Sequence, residues 1–95
     1  MSSDTFIARF MDGRDASDGT PWEKGGPNEP VFVDSFIDWE GLPFVFSEDG
    51  RLFRMRSSNG VSSRYTLESA DATPSAASIL SYGEEITEAE AVALL

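Results

Sequence analysis

Between residues 31 and 68 the chain runs in short apolar–polar alternations broken at three places by glycine. The runs are PVFVDSFIDW, LPFVFSE, RLFRMRSS and VSSRYTLE, and the breaks are Glu40-Gly41, Asp49-Gly50 and Asn59-Gly60. Aromatic and β-branched residues at a spacing of two make each run a strand. Asp-Gly and Asn-Gly tolerate positive φ and so favour two-residue hairpin turns. The pattern therefore predicts an antiparallel meander over 31–68. A further strand is expected at 5–11 (TFIARFM), with Phe6, Ala8 and Phe10 on one side and Ile7, Arg9 and Met11 on the other. Residues 12–30, rich in Gly, Pro, Asp and Asn, are expected to form a long loop.

Two-residue turns imply a register. About Asp49-Gly50, Glu48 would face Arg51, Phe46 would face Phe53 and Phe44 would face Met55. About Asn59-Gly60, Met55 would face Arg64, Arg54 would face Tyr65, Leu52 would face Leu67 and Arg51 would face Glu68. About Glu40-Gly41, Ile37 would face Phe44 and Trp39 would face Leu42. One face then collects Val33, Ile37, Trp39, Phe44, Phe46, Phe53 and Met55. The other collects Phe32, Phe36, Val45, Leu52, Tyr65 and Leu67, with Arg54 and Arg56 among them. A sheet apolar on both faces has to curl or be covered.

The cover is expected from the C-terminal third. In ATPSAASILSYG, Thr73 suits an N-cap, Pro74 the first helical position and Gly83 the residue past the end, which predicts a helix over 74–82. In EITEAEAVALL, Thr87 and Glu90 have capping-box spacing, and the apolar end, residues 91–95, should be docked. The expectation is one α+β domain over 1–95: a strand at 5–11, a loop at 12–30, a meander over 31–68 and a helical cover over 73–95. The meander has four or five antiparallel strands that can curl into a small barrel, with two short C-terminal helices. At 95 residues its core is modest.

Charge then narrows the function. The net charge is −10, distributed as −8 over residues 1–50, +4 over 51–66 and −6 over 67–95. The basic island, Arg51, Arg54, Arg56 and Arg64, is expected to hold strands together, through Arg51 with Glu48 and Glu68 and through Arg54 against Tyr65. It does not suit phosphate, because the register sends Arg54 and Arg56 away from Arg64 and the acidic remainder repels nucleic acid.

With no His and no Cys, the commonest general base and the best nucleophile are missing, so no enzyme, cofactor or metal site is expected. Asp12, Asp15 and Asp18 are spaced by three where a calcium loop alternates by two. The start of the chain lacks the pattern of a signal peptide, and a cytoplasmic location is expected.

What remains is an acidic surface for a basic protein partner, with no direct nucleic-acid or membrane contact. In size and charge alone the chain resembles phage-encoded inhibitors of bacterial defence complexes, DNA mimics and nuclease immunity proteins, in which carboxylates stand in for phosphates. The candidate partner-binding residues are Asp12, Asp15, Asp18 and Glu23 in the loop and Glu84, Glu85, Glu88 and Glu90 near the last helix. Trp22 in the same loop is expected to be a lid on the sheet or, failing that, an interface anchor. The competing expectation is an adaptor or accessory subunit, of phage origin or otherwise, whose acidity serves solubility.

Overall fold

The computed structural model describes residues 7–11, 29–58 and 61–95. Five strands, β1 (Ile7–Phe10), β2 (Pro30–Trp39), β3 (Leu42–Ser47), β4 (Leu52–Ser58) and β5 (Val61–Ser69), follow one another as an antiparallel meander. The meander is nearly closed into a barrel, and the Leu67 amide donates to the Met11 carbonyl at 3.1 Å where β5 approaches the end of β1. Two short helices, α1 (Ala76–Tyr82) and α2 (Glu88–Ala93), complete an α+β fold. Between them lies a strand that the alternation did not signal, β6 (Glu84–Ile86), which pairs with β2. It continues along the edge of β2 that β1 occupies further back, with Phe36 opposite Ile86 and Asp38 opposite Glu84.

Both apolar faces exist, and each has its own cover. Inside the curl, Val31, Val33, Phe36, Val45, Phe53, Met55, Tyr65 and Leu67 pack with Ala91 of α2. Outside, Ile37, Phe44, Leu52 and Ala70 pack with Ile79 of α1, and Trp39, Leu42 and Phe46 flank them. Curling and covering are thus used together.

The composition of the faces differs from the expected one, and the cause is register. The Glu40-Gly41 turn behaves as expected, with Ile37 opposite Phe44 and Trp39 opposite Leu42. The Asp49-Gly50 turn does not. Phe44 faces Arg54 and Val45 faces Phe53, one residue away from the two-residue-turn pairing, because the loop is three residues long. Gly50 closes that loop at φ +87°, its amide donating to the Ser47 carbonyl at 3.0 Å, as in a turn followed by a left-handed residue. Beyond Asn59-Gly60, which lies outside the described residues, Ser58 still faces Val61, but a bulge after Ser57 then brings Met55 opposite Leu67 and Arg54 opposite Glu68. A second bulge lies between Val33 and Ser35. A shift by one or three residues exchanges the faces of a strand, so Tyr65 and Leu67 join Phe53 and Met55 inside.

The first helix starts later than Thr73 and Pro74 suggest. Thr73 instead donates its hydroxyl to the Ala70 carbonyl at 2.9 Å in a preceding turn, and Ser75 is the N-cap. At the second helix the capping box forms as expected, with Thr87 Oγ1 accepting from the Glu90 amide at 3.1 Å and Glu90 Oε1 from the Thr87 amide at 2.8 Å.

Gly83 follows α1 as anticipated, for a different reason. Its backbone is extended (φ −65°, ψ 148°), a conformation open to any residue. A Cβ there would stand 2.2 Å from Ile37 Cγ2 and 2.5 Å from the Ile79 carbonyl oxygen, so glycine is required by the close approach of α1 to β2. Relief of chain entropy alone would make Gly83→Ala stabilising by about 0.4–1 kcal/mol. Steric overlap should reverse that sign and destabilise by about 1–3 kcal/mol, to be checked by chemical denaturation.

Candidate functional site

The charged side chains divide into those engaged within the fold and those facing solvent without a counter-ion. Arg9, on β1, lies against Tyr65 of β5 and Glu88 in the first turn of α2. Its Nε donates to Tyr65 Oη at 2.9 Å and to Glu88 Oε2 at 3.0 Å, and its Nη2 meets the same oxygen at 2.5 Å. The Tyr65 hydroxyl in turn donates to Glu88 Oε2 at 2.7 Å. Side-chain exposure is 17% for Arg9 and 29% for Glu88, so the pair is only partly screened by water. Burial alone would lower the Arg9 pKa, but its bonds to Glu88 and Tyr65 outweigh burial and raise it. Burial, followed by the bond to Glu88, raises that of the Tyr65 phenol.

Of the basic island, Arg51 and Arg56 pair within the fold, with partners other than those expected, and the side chain of Arg64 lies outside those described. Arg51 pairs with Asp49 (Nε to Oδ2, 2.9 Å) and Glu29 (Nη1 to Oε1, 3.6 Å), and its guanidinium lies 5.2 Å from the centre of the Phe53 ring. Arg56 reaches Glu68 at 3.5 Å. Arg54 sits opposite Phe44 and Glu68, and Tyr65 has turned inside, opposite Ser57. The Ser47 hydroxyl, buried at the hairpin, donates to Asp49 and accepts from the Arg51 amide at 2.8 Å. Ser47 first, then Arg51, hold the Asp49 carboxyl below its usual range.

The expected partner-binding acids now separate. Asp12, Asp15, Asp18, Glu23 and the aromatic Trp22 lie outside the described residues. Glu88 is held by three donors, and Glu90 is exposed with Oε1 accepting from the Thr87 amide in the cap. Glu84 and Glu85 are exposed on β6. There they join acids that sequence reasoning left out. Asp38 faces Glu84 directly across the strand pair, and Glu40 stands exposed at the β2–β3 turn with φ +54°. None of these four carboxylates has an ion-pair partner among the described residues. Immediately before them in the chain, Leu80 and Tyr82 of α1 are 49% and 82% exposed. The missing signal was β6: without it, Asp38 and Glu84 are 46 residues apart and unrelated.

This surface offers acceptors and one exposed phenol ring, and no nucleophile–base pair. No group of three or more carboxylates able to hold a metal ion occurs among the described residues, and no described helix is long and apolar enough to cross a membrane. No protein-family model, curated protein or solved structure matches the chain.

The Tyr65 shift has a pH signature. A phenol whose folded pKa is raised above the free value of about 10 contributes stability that is complete below that pH and declines above it, by up to about 1.4 kcal/mol per pH unit. Denaturation midpoints should therefore fall above pH 10. Tyr65→Phe, less stable at pH 7, should show the shallower decline.

Proposed function

We propose that the protein is a non-enzymatic binding module that presents carboxylates to the basic surface of a protein partner. A nucleic-acid-binding groove is the partner surface that best suits such a display, and inhibition by occupying that groove is the resulting activity. The carrying observation is the acidic edge formed by Asp38, Glu40, Glu84 and Glu85, which has no counter-ion among the described residues. Like charges directly opposite one another on paired strands destabilise a sheet. A glutamate at positive φ occupies a conformation that Gly, Asn and Asp adopt more cheaply. Asp38 Oδ1 also accepts from the Gly41 amide at 2.9 Å and so serves the β2–β3 turn, but its repulsion with Glu84 is a cost to the fold that an arriving cationic surface would relieve.

Two further features support the reading. Acids on a three-residue edge strand discourage strand addition by another chain, so binding there would proceed through side chains. Tyr82, near Glu84 in the chain and largely exposed, is one of the residue types enriched at interface hot spots, and its burial would supply affinity that charge alone does not.

The test begins with the protein retained from a bacterial lysate on the immobilised chain. Binding should weaken steeply with salt, and DNA should compete for the partner. The double substitution Glu84→Lys/Glu85→Lys should slow association about tenfold or more while changing dissociation less, with the fold intact by circular dichroism. A complex indifferent to salt and to DNA would instead favour the adaptor, seated on Leu80 and Tyr82.

A further inference from the structure

Among the arginines whose side chains are described, Arg54 is the one with no ion pair, and its Nε is buried without a hydrogen-bond partner. Buried polar groups in folded proteins are almost always satisfied, and a charged one left open is the exception that asks for a ligand. Arg54 lies at the wall of a groove of about 210 Å³ on the outer face of the sheet, between β3–β5 and α1. Trp39, Leu42, Phe44 and Ile79 give the groove its apolar lining, with the Trp39 and Phe44 rings edge to face at 6.4 Å. Ser75, also on the lining, makes no capping bond with its hydroxyl. Glu68 faces Arg54 across the strands, but is largely exposed and reaches Arg56.

We infer that this groove binds a small apolar carboxylate, with its carboxylate on the Arg54 guanidinium and its body against Trp39, Leu42 and Phe44. The planar guanidinium fork matches a carboxylate in shape and charge. A single uncommitted cation, with Glu68 beside it and a net charge of −10 around it, suits a monoanion and disfavours a phosphate dianion. Size sets the remaining limit. A cavity of about 150 Å³ accommodates benzene, so 210 Å³ has room for one ring and a carboxymethyl arm. The site lies on the α1-covered face of β3–β5, and its ligand chemistry is opposite to that of the acidic edge, so it stands independently of the proposed function.

Phenylacetate is the probe and phenylacetamide its uncharged counterpart, titrated into the full ¹⁵N-labelled chain. Phenylacetate should shift the amides of Ser69, Ala70 and Thr73 saturably in the millimolar range. Phenylacetamide on the wild type, and phenylacetate on Arg54→Gln, should each bind about tenfold more weakly or worse, the loss expected for one charge-assisted pair. Equal affinity for acid and amide, or no saturable shift with the acid, would overturn the inference. The acid–amide comparison needs no variant and decides the matter even if Arg54→Gln fails to fold.

Discussion

The closure of the barrel depends on one charged contact between distant parts of the chain. Arg9 and Glu88 are 79 residues apart, and with Tyr65 they join β1, β5 and α2. Among the described residues the β1–β5 seam is bridged by the bond from the Leu67 amide to the Met11 carbonyl and not by a ladder of strand pairs. α2 fills the open end instead, burying Ala91 completely against the interior cluster. A helix of six residues has little stability of its own. Its capping box fixes where it starts, and Glu88, one residue after the cap, sets which way it faces. Partly buried ion pairs contribute modestly to net stability while strongly penalising arrangements that break them. Here that penalty selects the closed arrangement over an open sheet with an exposed inner face.

From this closure follows the division of labour among the acids. A chain of charge −10 needs its few cations where the fold is weakest, and three of the described arginines are placed at seams: Arg9 at the barrel closure, Arg51 at the β3–β4 hairpin, Arg56 across β4 and β5. The acids they meet, Glu88, Asp49, Glu29 and Glu68, are thereby engaged within the fold. Asp38, Glu40, Glu84 and Glu85, at or beside the β2–β6 edge, have no ion pair among the described residues, and neither do the exposed Asp34 and Glu48. Arg54, also without an ion pair among the described residues, lies in an apolar groove on the outer face.

The strands and their order were legible because alternation and glycine turns are local signals. The register was not, because three odd-numbered shifts lay hidden in it. The loop at Gly50 is longer by one residue than Asp-Gly alone suggests, and bulges follow Val33 and Ser57. Each exchanges the faces of a strand, which moved Tyr65 inside and gave Arg54 a different neighbour. Bulges answer to the curvature needed for closure, a property of the whole sheet. β6 was hidden for a related reason: three residues cannot display a periodicity, and Glu-Glu-Ile is a poor strand by propensity, held by pairing with β2. Of the candidate site, Glu84 and Glu85 could be named from charge density alone. Glu88 was indistinguishable from them in sequence because its partners, Arg9 and Tyr65, come from opposite ends of the sheet.

Closure of the barrel therefore rests on the coupling between Arg9 and Glu88. A double-mutant cycle with Arg9→Gln, Glu88→Gln and the pair, read by urea denaturation at pH 7, isolates that coupling from the other contacts of either residue. The closure described here predicts an interaction energy of about 1–3 kcal/mol, with each single variant nearly as destabilised as the double. A coupling below about 0.5 kcal/mol, the additivity of independent sites, would show that the barrel closes without this contact and would contradict the account.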